Sequence, residues 1–219
     1  MAKWLRGAAV CAVLTTALTA CGGGDDGGGY GEDIPGGTAQ GGLKSAPLLS
    51  STQQVSQAVP SPVSLGGNWR LTSTPKADSA EAAGACRKKS GTACTGVMAR
   101  GHRKFIRDME GRGAVFAEFE MYAFDNPENA KVASKALHTA VRGHASGDVT
   151  DVKVNSGADE ADSFRHSYGT LTMMRVGGVV VEAEVRSSDK IDLTDELTKL
   201  ARLQVERIKK VAAGKNPDA

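Results

Sequence analysis

Ala114-Val115-Phe116-Ala117-Glu118-Phe119-Glu120-Met121-Tyr122-Ala123-Phe124 decides the fold of this chain. Val115, Ala117, Phe119, Met121 and Ala123 fall on one face of an extended backbone. Phe116, Glu118, Glu120, Tyr122 and Phe124 fall on the other. Side chains alternate across a strand, so period two over eleven residues predicts a β-strand with one face in a core. Immediately before it, Gly101 to Asp108 reads as a second strand, joined through a glycine-bearing turn at Met109–Gly113. A simple hairpin through that turn sets Arg103 near Glu118, a cross-strand ion pair contributing about 0.2–1 kcal/mol.

After the decisive strand the pattern changes to a helix. Asp125-Asn126-Pro127-Glu128 offers Asp125 as N-cap, a proline in the first turn and an acid three residues on. Ala130, Val132, Ala133, Ala136, Leu137, Ala140 and Val141 share one side, and Gly143 stops the run. Val149–Val154, Ser163–Tyr168 and Leu171–Val176 are strand material. Gly177-Gly178 turns the chain back into Val179–Arg186, opposing Val176 to Val179, Met174 to Val181 and Thr172 to Ala183. Leu193 to Val211 closes the chain as an amphipathic helix striped by Leu193, Leu197, Leu200, Ala201, Val205 and Ile208. Strands arranged as hairpins among helices define the α+β class. The expectation is an antiparallel sheet of about five to six strands with two or three helices packed on one face.

Toward the N-terminus, Asn68-Trp69-Arg70-Leu71-Thr72 opens the domain as a short strand, and Ala77 to Cys86 is alanine-rich and helical in pattern. A Cys86–Cys94 bridge would close a nine-residue loop, stabilising by about 2.5 kcal/mol on the chain-entropy estimate. Residues 21–66 are dominated by Gly, Ser, Gln and Pro and read as a tether, because such a composition cannot repay its ordering entropy. Within it Leu43 to Val59 offers only a weak helical pattern. Met1 to Arg6 carries two positive charges, and Gly7 to Ala20 is apolar. Together they form an export signal too short to span a bilayer. Leu18-Thr19-Ala20-Cys21 matches a lipobox, making Cys21 the lipidation site. The expected division is a signal peptide at 1–20, a lipidated tether at 21–66, an extracytoplasmic domain at 67–213 and a flexible tail at 214–219. The expected location is the outer face of the cell membrane, held by a diacylglyceryl thioether whose chains contribute about 0.8 kcal/mol per buried CH₂. Export also places the Cys86–Cys94 pair where a disulfide persists.

Lys3 and Arg6 account for the excess of basic residues, since basic and acidic residues are otherwise equal at 25 each. A near-neutral mature chain gives no electrostatic case for nucleic acid. Ser73-Thr74-Pro75-Lys76 and Lys89-Ser90-Gly91 mimic penicillin-enzyme motifs, but they lie too close together and lack the S-x-N element between them. Glu118/Glu120 and Glu182/Glu184 are same-face carboxylate pairs, the chemistry of glycoside hydrolysis, read here as cross-strand ion-pair partners. His102, His138, His144 and His166 have no metal-binding spacing, so neither metal nor cofactor is expected. One bias stands out. Cys86 to Arg107 contains basic residues and no acid, making Arg100, Arg103, Lys104 and Arg107 candidate anion-binding residues. The alternative is a solvated face balanced by the four glutamates.

The lipobox, the Gly-rich tether, the early Trp69, the close Cys86/Cys94 pair, Tyr122-Ala123-Phe124-Asp125-Asn126-Pro127-Glu128 and the late Met174–Val181 hairpin resemble actinobacterial surface lipoproteins. More loosely, residues 68–212 are similar in pattern to extracellular sensor domains of bacterial Ser/Thr kinases, which carry two disulfides where this chain offers one. The resemblance implies a non-catalytic binding or sensing module outside the cell; the expectation is a monomer with a small-molecule, lipid or cell-wall ligand. An exported hydrolase, or a structural envelope protein docking by its basic stretch, is the alternative.

Overall fold

The computed structural model describes residues 48–91, 94–110, 113–189 and 191–219. The signal peptide, Cys21 and residues 22–47 of the expected tether lie outside them. The described chain runs α1 (Thr52–Ala58), α2 (Pro62–Leu65), β1 (Arg70–Leu71), β2 (Lys76–Asp78), α3 (Ala82–Ser90), β3 (Val97–Asp108) and β4 (Ala114–Phe124). It continues through α4 (Pro127–Gly143), β5 (Thr150–Asp151), β6 (Glu160–His166), β7 (Gly169–Val176), β8 (Val179–Ser187) and α5 (Thr194–Ala212).

All pairings are antiparallel, in the order β1-β3-β4-β8-β7-β6-β5, with β2 also on β3. The α+β class therefore holds, with eight strands among the described residues rather than five to six. β1 and β5 fall inside the stretches 68–72 and 149–154 read as strand, and β2, a three-residue segment, is too short to show a period. The predicted β7–β8 register is the observed one: Val176 faces Val179, Met174 faces Val181 and Thr172 faces Ala183. Gly177 turns with φ +59°, and a Cβ on Gly178 would press on Leu48 and the Phe124 carbonyl.

The two faces of β4 separate as the alternation requires, but helices cover both, not one. Val115, Ala117, Phe119, Met121 and Ala123 join Val181, Ala183 and Val185 of β8 in a core closed by α5 and α1. Tyr122, Phe124, Met173 and Val180 join Cys86, Ala130, Ala133 and Leu137 in a second core, closed by α3 and α4. The central strands thus bury side chains on both sides, although only one face of β4 has an unbroken apolar pattern. The second face mixes aromatic and acidic positions, which hides its burial from hydropathy alone.

The boundary of the tether also moves. Leu49, Val55, Ala58 and Val59 are fully buried in the first core, so the packed domain reaches back at least to residue 49 instead of starting at 67. Ser51 caps α1 by accepting from the Gln54 N–H. The C-terminal carbonyls of α1, the orphan acceptors of any helix end, meet dedicated donors. Arg103 of β3 donates to the carbonyls of Ser56, Val59 and Pro60 at 2.6–3.0 Å. Arg207 of α5, only 2% exposed, donates to those of Gln57 and Ala58, and Gln204 donates to Ala58. Gly101 lets α1 lie against β3, since a Cβ there would come within 2.8 Å of Val55 and Val59. Composition conceals this docking because the donors come from strands and helices far along the chain. At the other end, Lys210 donates to the Ala219 carbonyl and Asp218 pairs with Arg207, so the expected tail at 214–219 folds back on α5.

Smaller differences follow local chemistry. Ala77 belongs to β2, and α3 begins at Ala82 and continues to Ser90. The cap of α4 is Asn126, accepting from the Asn129 N–H, with Asp125 instead accepting from the Asn129 amide.

Candidate functional site

Across the second face of the sheet, register lines up four carboxylates. Glu118 of β4 lies directly opposite Glu184 of β8, and Glu120 opposite Glu182. Like charges directly opposite destabilise a sheet unless cations intervene. Here α3, β3, β6 and β8 supply them. Lys89, from the last turn of α3, places its Nζ 2.6 Å from Glu120 and 2.5 Å from Glu182. Arg100 meets Glu120 at 2.7 Å, and the Tyr122 hydroxyl donates to the same carboxylate. Lys104, Arg186 and His102 surround Glu118 at 2.8–3.1 Å. His166 lies 3.0 Å from Glu184, with Arg186 at 3.6 Å.

The acids respond unequally. Burial would raise Glu120, but the Lys89 ammonium and the Tyr122 and Arg100 donors overcome it and hold the carboxyl at about 2. Glu118 is likewise brought down to about 2, against burial, by His102 and Lys104. Glu182 goes the other way. Burial pushes it above the usual carboxylate range, the nearby Glu120 and Glu184 add to the push, and Lys89 only partly offsets them. Lys89 itself is raised: its two carboxylates outweigh its burial.

Beside this array the end of α4 stands off the sheet and leaves a half-open cavity of about 260 Å³. Its floor carries Glu182, Glu184 and Lys89, and its walls include Val141, Phe164 and Leu171. Tyr168, 62% exposed, stands in the β6–β7 turn at its rim. The Cys86–Cys94 disulfide, expected from the sequence, ties down the end of α3 that carries Lys89.

The basic stretch is placed differently from an anion-binding patch. Arg100 and Lys104 face Glu120 and Glu118 on the cavity side. Arg103 lies on the opposite face, opposite Phe119 rather than beside Glu118, and holds α1. Arg107 pairs with Glu196 of α5 at 3.1 Å and lies over the Trp69 ring at 4.6 Å. The hairpin register is one residue away from the expected one, and a one-residue slip exchanges faces. Each of the four cations has an internal partner. The residues missed from sequence were Lys89 and His166 as partners of the acids, because the pairing of β4 with β8 spans the whole α4–β7 insertion. Among the described residues no group of three or more His, Cys, Asp or Glu could hold a metal ion, and no helix is long and apolar enough to cross a membrane.

No protein-family model matches the chain. No curated protein matches it either. Among solved structures it is similar to the extracellular domain of PknH from Mycobacterium tuberculosis, at 13% identity and a TM-score of 0.39, over 74% of this chain and 93% of that domain.

Proposed function

We propose that this chain is a lipid-anchored, extracytoplasmic binding domain without catalytic activity, and that its ligand occupies the cavity between the end of α4 and strands β6–β8. The observation that carries this reading is the position of Lys89. Its ammonium sits between Glu120 and Glu182 and contacts both, so the two carboxylate oxygens lie within about 5 Å of each other. That is close to the separation used by retaining glycosidases, about 5–5.5 Å between carboxyl groups. The opposite pKa shifts of Glu120, downward, and Glu182, upward, favour the second reading, an exported hydrolase. Lys89 argues against it, because its Nζ fills the point between the acids where a reacting atom would have to sit. The apolar walls beside the acids suit binding and orientation of a ligand. Location and anchoring rest on the export signal, the Cys21 lipobox and the bridged cysteine pair.

Two measurements test the proposal. Cys21→Ser is expected to appear in the soluble or unprocessed fraction, and full partition of a cleaved Cys21→Ser chain into detergent would refute anchoring. Native mass spectrometry of the chain released from its own envelope is expected to show a bound small molecule. That mass should be absent from Ser146→Trp, a substitution at an exposed position of the cavity wall. A ligand-free chain, or a mass retained by Ser146→Trp, refutes the cavity as the binding site.

A further inference from the structure

The four carboxylates of the second face are not equally compensated, and the shortfall lies at the cavity. Glu118 has Lys104 and Arg186 as full cations together with His102. Glu120 has Arg100 and Lys89 together with the Tyr122 hydroxyl. On β8, Glu182 has only Lys89 as an ion-pair partner among the described residues, and it shares that ammonium with Glu120. Glu184 has His166 and a longer contact to Arg186, which it shares with Glu118. Arg100 and Lys104 serve β4 acids alone. The β8 acids, which form the cavity floor, are therefore those short of positive charge. Both are largely withdrawn from water, with side chains 16% and 14% exposed, so an added charge there is poorly screened.

Two further features surround that floor. Val141 and Ala145 make an apolar wall backed by the buried Phe164 and Leu171, and the exposed Tyr168 ring stands at the rim. Aromatic faces attract cations, and an apolar wall accepts an alkyl stem. At about 260 Å³ the space is below the usual 300–1,000 Å³ of drug-sized sites, so it admits one head group or side chain. An anionic head would have to sit against two under-compensated acids.

We propose that the cavity recognises a primary ammonium group on a short alkyl stem, the nitrogen against Glu182 and Glu184 and the stem along Val141 and Ala145. This deepens the binding reading above and rests on it. The ammonium could belong to a free amine or to a side chain of a peptide or polymer, since the chemistry is the same.

The test is an NMR titration at pH 7 of the processed chain, residues 21–219 with Cys21→Ser. Matched probes are hexylammonium, hexanol and hexanoate, with Nα-acetyl-lysine methylamide as the side-chain arm. Hexylammonium is expected to shift the amides of residues 166–171 and 182–184, binding at least about ten-fold more tightly than hexanol, with no binding of hexanoate. Glu182→Gln and Glu184→Gln should each weaken hexylammonium by about ten-fold, while Glu206→Gln, at an exposed position of α5 outside the charge array and the cavity, should not. Equal or tighter binding of hexanol or hexanoate, absence of all binding, or shifts that survive both glutamine variants overturns the proposal. Should a variant not fold, Ser146→Trp supplies the check, because it closes the cavity without touching the acids. The lysine analogue separates sources: binding with the free amine's site and affinity supports a side-chain ligand, and binding of hexylammonium alone supports a free amine. A native ligand lost from Ser146→Trp together with a failed ammonium titration would leave the binding domain standing and remove only its ligand class.

Discussion

Replacing Lys89 by Met keeps an unbranched stem, one heavy atom shorter, and removes the charge that separates Glu120 from Glu182. Both carboxylates then face each other across β4 and β8 with side chains only 10% and 16% exposed. Removing one partner of a buried ion pair costs about 3–5 kcal/mol, because a charge is left without compensation. Two features reduce the figure here. Lys89 is 27% exposed, so water already screens part of the interaction, and Glu120 keeps Arg100 and Tyr122. The expected loss is about 2–3 kcal/mol at pH 7, read as a shift of the urea midpoint at constant m-value. Most of the loss should come from Glu182, which has no other ion-pair partner among the described residues. Lys89→Met combined with Glu182→Gln should therefore recover all but about 1 kcal/mol, the scale of a hydrogen-bond loss. A single variant within about 0.5 kcal/mol of the parent, or a double variant no more stable than the single, would refute the idea that Lys89 is the hinge of the charge array.

The acids also set a pH profile. Glu118 and Glu120 have folded values below their unfolded ones, so the stability they add is present above about 4.5 and is lost as pH falls toward about 2. Glu182 is raised, so its contribution is present below its unfolded value and is lost as pH rises through its folded one. Glu182→Gln should consequently raise the urea midpoint at pH 8 and leave it unchanged at pH 4. Cys86→Ala should lower stability by about 2.5 kcal/mol, and thiol titration of the unfolded, unreduced parent should find neither Cys86 nor Cys94 free. Arg103→Ala should cost about 2–3 kcal/mol through the α1 carbonyls it leaves unpaired, while sedimentation with isolated cell wall, measured for Arg103→Ala with Arg107→Ala, stays unchanged at low and high salt. Deleting residues 48–59 should lower the melting temperature by several degrees and expose the first core to hydrophobic dye.

What could be read from the sequence was whatever a local period encodes. The alternation of residues 114–124, the Gly177-Gly178 hairpin and the stripe of α5 each carry their own signal, and each has its place in the fold. Docking of α1 does not. Its burial depends on Gly101, Arg103, Gln204 and Arg207, none of which is near it in sequence, and its own seven residues are mostly polar, with Val55 and Ala58 as the apolar positions. The charged face was half legible. Parity placed Glu118 with Glu120 and Glu182 with Glu184, yet only the long-range pairing of β4 with β8 makes the four a single array. The basic stretch was misleading because a run of cations on a strand is divided between two faces, and here the two halves do unrelated work.

That division explains why a sheet can carry four acids in its middle. The first face holds the molecule together: its strands present an apolar surface, α5 covers it, and α1 is fastened over β3 by two guanidinium groups and an amide. With that much apolar surface buried on one side, the other side is free to combine a smaller core, Tyr122, Phe124 and Leu137, with charges held in pairs. A buried ion-pair array adds little net stability over an apolar replacement, because desolvation opposes the attraction. The energetic alternative was therefore open at Glu182, the acid with the least compensation, and an apolar residue there would suit Met173 opposite it. On the proposed reading, the carboxylate at that position, beside a cavity with an aromatic rim, serves a ligand rather than the fold.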